Sequence, residues 1–326
     1  LINQKIALGM TRITFALALA TVLSLAFTPL ASQEIIVTPL DEQELVVAPV
    51  FPQDAECLGF LAFDRELGQN FWARVSVATA SNCLNSVSNF DVKDENGSTP
   101  LHYAALNFEN PNILSLLLDA GANINAVNDI GSTPLHWAAQ TDNSETITIL
   151  LDAGADVNAR TDSGVTPLHL AVQTDNSETI TILIGAGANV NIRVVTGETP
   201  LHVAAASNNY SSTVTTLFEA GADLNATDAD GRTLLHMSAY NSSLEVLTAL
   251  LDVVSGVNTR NAEGNTPLHL AARYNENPEI ITTLLGAGAD GAALNEDGQA
   301  PIDLAKDNDA LVDTDAYWAL NDARFE

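Results

Sequence analysis

Residues Asn128–Arg160 read NDIGSTPLHWAAQTDNSETITILLDAGADVNAR, and this stretch decides the fold. Gly131 closes a tight turn, and Thr133 stands where a helix cap belongs, directly before Pro134. Proline suits a first helical turn because the N–H it lacks has no intrahelical acceptor there. Ala138 and Ala139 give the short helix a small face on which a neighbour can lie close. Asp142, with Glu145 three residues on, predicts a capping box that opens a second helix. Ile147, Leu150 and Leu151 then form one apolar stripe at helical spacing. Gly154 is placed to turn left-handed and stop that helix. Such a unit has an apolar face and nothing of its own to bury it against.

Repetition answers that deficit. The turn glycines are Gly97, Gly131, Gly164, Gly197, Gly231, Gly264 and Gly298, spaced 33 or 34 residues apart. Thr-Pro-Leu-His recurs as Thr99–His102, Thr133–His136, Thr166–His169, Thr199–His202 and Thr266–His269. Thr233–His236 and Ala300–Asp303 are degenerate copies. Gln140–Leu150 and Gln173–Leu183 are the same eleven residues, QTDNSETITIL. A period of about 33 with Thr-Pro-Leu-His before a helix pair resembles the ankyrin repeat. The resemblance covers residues 94–303. It implies an all-α ankyrin-repeat solenoid, helix-turn-helix units linked by short β-hairpin turns, with a cap at each end.

Six repeats are expected: Asp94–Val127, Asn128–Arg160, Thr161–Arg193, Val194–Thr227, Asp228–Arg260 and Asn261–Leu294. Residues 295–326 then form an incomplete seventh repeat and a C-terminal cap helix. The fifth repeat departs most. It has Leu234 in place of proline, and Val254 where its neighbours carry the helix-stopping glycine, which predicts an altered exit from its second helix.

A length of 326 residues would suggest two domains in a globular protein, but a solenoid has no single core and grows by stacking. The net charge of −29 comes from 41 acidic and 12 basic residues, which argues against a nucleic-acid partner, since those rely on clustered Lys and Arg. The same charge favours solubility and attracts basic partners.

Residues 1–32 read as a signal peptide. Arg12 gives a positive end after Met10, and Ile13–Phe27 is a mostly apolar run of secretory length. It is shorter than the roughly 20 residues a membrane span needs, so no stable span is expected after cleavage. An uncleaved anchor is the alternative. Residues 33–56, with Pro39, Pro49 and Pro52 among six acidic residues, read as a tether. Residues 57–93 read as a divergent N-terminal cap, because a terminal unit has water on one side in place of a neighbour. Cys57 and Cys83, the only cysteines, would each be a small buried apolar residue taken singly. In an exported chain the pair points to a disulfide. At the other end Thr314–Phe325 predicts an amphipathic helix whose Tyr317, Trp318 and Leu320 cover the last repeat. Both ends are similar to those of bacterial exported ankyrin proteins, which implies a periplasmic or secreted location.

All six histidines, His102, His136, His169, His202, His236 and His269, are the histidine of the repeat. Neighbouring helices lie roughly 8–10 Å apart, so successive rings are poorly placed to share a zinc ion that needs nitrogens at about 2 Å. The resemblance implies that these histidines make structural hydrogen bonds. None is left over as a general base, so no catalytic, cofactor or metal site is expected. Gly185-Ala-Gly187 and Gly286-Ala-Gly288 mimic the start of a nucleotide fingerprint, but they end helices whereas a phosphate loop precedes one.

Function then lies in what varies between copies. The resemblance implies contact positions flanking each turn glycine, two before it and one after (Glu95, Asn96 and Ser98 in the first repeat), and following the double alanine. Exposed aromatics and arginines make the strongest anchors. The chosen residues are therefore Ile130, Val195, Arg232, Tyr240, Arg273 and Tyr274, on the concave face and hairpin edge. The expected function is non-enzymatic binding of a protein partner by a monomer. The alternatives are a secreted effector acting on a host protein and an uncharacterised enzyme.

Overall fold

A computed structural model of the chain describes residues 90–106, 111–141, 143–207, 211–240 and 244–325. The signal-peptide reading (1–32), the tether (33–56), most of the N-terminal cap, Cys57 and Cys83 lie outside the described residues. Fourteen helices, and no strand, occur among them. The repeats contribute α1 (Pro100–Leu106) with α2 (Pro111–Asp119), then α3 (Pro134–Ala138) with α4 (Ser144–Asp152) and α5 (Pro167–Gln173) with α6 (Ser177–Gly185). Next come α7 (Pro200–Ala205) with α8 (Ser211–Glu219), α9 (Leu234–Tyr240) with α10 (Leu244–Leu251), and α11 (Pro267–Tyr274) with α12 (Pro278–Gly286). The seventh unit supplies α13 (Pro301–Ala305), and α14 (Asp315–Ala323) closes the array.

Each first helix is started by a threonine and locked by the histidine three residues on. In the second repeat Thr133 is the extended N-cap and Pro134 enters the first turn. The Thr133 N–H donates to His136 Nδ1 at 3.1 Å, and the Thr133 hydroxyl lies 2.8 Å from the same nitrogen. A backbone N–H only donates, so Nδ1 is the acceptor and the proton sits on Nε2. That Nε2–H donates across to the Val165 carbonyl of the next repeat at 3.0 Å. One ring thus caps its own helix and fastens the following unit. The pattern recurs from His102 to Ser132 O, His236 to Asn265 O and His269 to Gln299 O, at 2.9, 2.9 and 3.0 Å. Thr233 and His236 pair in the same way without the proline, so Leu234 leaves the cap intact.

The second helices open one residue later than the capping-box pattern predicts. Asn143 is the N-cap of α4, and its side chain accepts from the Thr146 N–H at 3.1 Å. Asn176 does the same for Thr179 ahead of α6. Helix exits follow the glycines as expected, with Gly154 at φ +91° behind α4. In the fifth repeat Val254 cannot adopt that conformation cheaply. There α10 ends at Leu251, one residue short of its counterparts, and the left-handed residue moves on to Gly256 at φ +97°.

Stacking buries the apolar faces in one continuous row. Leu101, Leu135, Leu168, Leu201, Leu235 and Leu268 are buried, as are the alanine pairs that follow them in the first, second, fourth and sixth repeats. Behind them lie Leu114, Leu117, Ile147, Leu150, Ile180, Leu183, Leu247, Leu250, Ile281 and Leu284. Consecutive first helices pack on one another from α1 to α13. Among second helices α2 packs on α4, α4 on α6, α8 on α10, α10 on α12 and α12 on α14, whereas α6 and α8 meet only loosely.

An asparagine ladder runs along the outer loops. Asn125 accepts from the Asp156 N–H, Asn158 from Asn189, Asn191 from Asp223 and Asn258 from Asp290, all at 2.7–2.9 Å. The ladder ends where the array ends, since Gly291 and Ala292 replace the aliphatic residue and the asparagine of earlier copies. The seventh unit also trades histidine for Asp303. One of its oxygens accepts from the Ala300 N–H at 3.1 Å, reproducing the cap. The other meets Lys306 at 2.7 Å and Arg324, just past α14, at 3.6 Å. In α14 the inward residues are Ala316 and Leu320, whereas Trp318, expected to cover the last repeat, is 54% exposed.

Candidate partner-binding surface

The hairpin tips are joined to one another through the backbone. The Asp129 N–H donates to Asn96 O, Asp162 to Ile130 O, Val195 to Ser163 O, Ala229 to Thr196 O, Ala262 to Asp230 O and Glu296 to Glu263 O. Side chains on this edge are therefore held at one-repeat intervals. Ile130 and Val195 both project from it, and Val195, 74% exposed, is the more prominent. Most exposed neighbours along the edge are acidic, among them Glu95, Asp129, Asp162, Asp230, Glu263 and Glu296.

The residue after each turn glycine, expected to be part of this edge, is not at the surface. Ser98, Ser132, Val165, Glu198 and Asn265 are all buried. The physical reason is the histidine lattice. At Ser132, Val165 and Asn265 this residue's carbonyl receives the imidazole of the preceding repeat, which draws the side chain beneath the hairpin. Arg232, at the same position, is half-buried, with Nε 2.6 Å from Asp228 and a terminal nitrogen 3.3 Å from Asp230. Its guanidinium is engaged within the chain.

The structure brings Tyr240, Arg273 and Tyr274 together. The two tyrosine rings lie 5.2 Å apart at a 57° tilt, and the Arg273 guanidinium sits 5.2 Å from the Tyr274 ring centre. Such a cation–π contact is worth about 0.5–1 kcal/mol at an exposed site and holds the arginine in place. Tyr240 and Arg273 are exposed and Tyr274 half so. Trp137 stands at an inner-face position of the second repeat, half-buried against the edges of His102 and Tyr103, both at 5.2 Å.

Burial governs the electrostatics behind this surface. It lowers the pKa of His102, His136, His169 and His236 to about 4, and lowers those of His202 and His269 as well, so all six rings are neutral at pH 7. Burial acts in the opposite sense on Glu198, raising its carboxyl to about 7 against the pull of Thr196 and Arg232. The resemblance implies that Glu198, like the other residues after a turn glycine, is a contact position, whereas the structure buries it. The available signal was an acid where other copies carry Ser, Val, Arg, Asn or Gln. Among the described residues no three His, Cys, Asp or Glu side chains converge as a metal site would require, and no helix is long and apolar enough to cross a membrane.

Stacked helix pairs fastened by a capping histidine, with a variable edge and inner face, define a repeat scaffold whose recurring positions are structural. The family described as Ankyrin repeats (3 copies) matches residues 75–161, 158–228 and 201–295, and the chain belongs to that family. Ankyrin repeats are generally protein–protein interaction modules and typically non-enzymatic. No curated protein matches the chain.

Proposed function

We propose that this protein captures a protein partner without chemical turnover, through the patch formed by Tyr240, Arg273 and Tyr274 together with the hairpin tips at Ile130 and Val195. The observation that carries the reading is the aromatic–arginine cluster, the residue types that dominate interface energetics, grouped at the surface of two neighbouring repeats. Changing Tyr240, Arg273 and Tyr274 together to Ala is expected to abolish capture from native extract and leave the thermal midpoint within a few degrees of the parent. Undiminished capture would remove the patch from the binding surface.

The proposal also places the protein in the periplasm or outside the cell, as an exported ankyrin protein whose cap is closed by a Cys57–Cys83 disulfide. Support comes from the apolar run Ile13–Phe27 and from two cysteines confined to one short segment. Mass spectrometry of the native protein is expected to show loss of residues through the Ala31–Ser32 region and no titratable thiol under denaturing, unreduced conditions. An intact Met10, or two free thiols, would overturn this part.

A further inference from the structure

The fourth repeat, Val194–Thr227, keeps the backbone rungs to both neighbours but lacks several of the side-chain fastenings that they share. Six of the seven hairpins close on the side chain of their first residue. Asp94, Asn128, Asp228, Asn261 and Asn295 each accept from the N–H groups two and four residues on, and Thr161 accepts from Val165. The fourth hairpin begins with Val194, which has nothing to accept with. His169 Nε2 and His202 Nε2 are buried and make no hydrogen bond of normal geometry, although each faces the carbonyl it should reach, that of Glu198 and that of Arg232. These are the two rings that should join the fourth repeat to the third and to the fifth. The asparagine ladder also lapses at the second of these junctions, where α10 ends early and its left-handed exit falls on Gly256, the residue opposite Asn225. At the first junction α6 and α8 are the loosely met pair of outer helices.

Inside this weakly held unit sits Glu198, 1% exposed. One carboxyl oxygen takes the Thr196 hydroxyl, and the other, Oε1, is buried without a partner. The groups that face it come from its own hairpin and from the fifth: Thr196, Asp228, Asp230 and Arg232. Arg232 is the one cation among them, and its guanidinium is already bound to Asp228 and Asp230. On the third-repeat side the neutral ring of His169 faces the Glu198 backbone, and His202 faces that of Arg232. Ionised Glu198 thus makes three carboxylates against one guanidinium, with a desolvated oxygen as well. Protonated Glu198 removes both costs.

We propose that the fourth repeat is a pH-gated opening unit, whose hairpin releases from both neighbours when Glu198 is ionised and reseats when Glu198 is protonated. Opening exposes the carboxylate to water, so its pKa returns from about 7 towards the ordinary 4.5 in the released state. Linkage then makes the opening equilibrium about tenfold larger at pH 8.5 than at pH 6. Local opening of this kind leaves the rest of an array folded, since each repeat depends only on its neighbours.

The hairpin amides supply both probe and control. Val195 and Ala229 donate across the two suspect junctions at 2.8 and 3.0 Å, and Asp162 and Ala262 make the same bond across sound ones at 3.0 and 2.8 Å. In amide hydrogen exchange on the full chain, normalised to intrinsic rates at each pH, protection at Val195 and Ala229 is expected to fall about tenfold relative to Asp162 and Ala262 between pH 6 and pH 8.5. Glu198→Gln should remove that pH dependence. Val194→Asn, which restores the missing acceptor, should raise protection at both probes at every pH and serves if the first variant does not fold. Probes that track the controls throughout, a pH dependence that survives Glu198→Gln, or no gain from Val194→Asn would each overturn the proposal.

Discussion

Acidification from pH 6.5 to pH 4 is expected to unfold the repeat array. Histidine in an unfolded chain titrates near 6.5, whereas four buried rings, His102, His136, His169 and His236, titrate at about 4 in the folded one. As pH falls below 6.5 the unfolded state takes up protons first, so stability is complete above that point and drains away until the folded rings also protonate near 4. Each ring contributes up to about 3 kcal/mol to that loss, and four together match the whole stability of an ordinary domain, about 5–15 kcal/mol. Glu198 works the other way. Its folded pKa is raised, so stability is gained as pH falls from about 7 towards 4.5, by an amount that offsets one histidine at most. The net sign is loss. Urea midpoints followed by circular dichroism should drop steeply between pH 7 and pH 5. An unchanged midpoint over that range would mean that the rings are not buried as neutral groups.

Gly291→Val is expected to undock the C-terminal cap. Earlier copies carry Ile124, Val157, Val190, Leu224 and Val257 at this position, so valine is what the repeat itself prefers. A Cβ on Gly291, however, would lie 2.6 Å from the Cβ of Ala323 and 2.8 Å from its backbone carbonyl. Backbone cannot swing aside as a long side chain can, so α14 must move as a body. Moving it exposes Leu320 and Ala316 and pulls Arg324 away from Asp303. Loss of the leucine alone costs about 1.5–3 kcal/mol, to which the lost helix packing adds. Faster proteolysis between residues 307 and 326 and a shift in Trp318 fluorescence should accompany a lower urea midpoint. Gly286→Ala is the control, since a Cβ there meets nothing within 4 Å. Equal stability of Gly291→Val and the parent would show that α14 does not depend on this contact.

The backbone plan was legible because it is written seven times. Threonine, proline, histidine and glycine hold fixed offsets, each with one local physical task, and the helices begin and end where those tasks place them. What the period could not convey was which way a side chain points at a junction. Asp142 and Asn143 both suit a helix start, and only the distance to the Thr146 N–H selects the second. The residue after each turn glycine looks like surface in sequence, yet its carbonyl meets the neighbouring histidine at Ser132 and Val165, and that turns both inward. Of the chosen contact residues, Tyr240, Arg273 and Tyr274 proved to be one cluster. Arg232 proved to be engaged by two aspartates, which no spacing rule discloses.

Asp303 carries a consequence for how such a chain can lengthen. A histidine there would offer its Nε2–H to a following unit; the carboxylate offers only lone pairs, and any carbonyl brought up to it would meet acceptor with acceptor. Copying within the interior, where the twin QTDNSETITIL segments lie, keeps the donor-to-carbonyl polarity of the coupling. A unit stacked on the seventh would meet at Asp303 a coupling reversed in polarity.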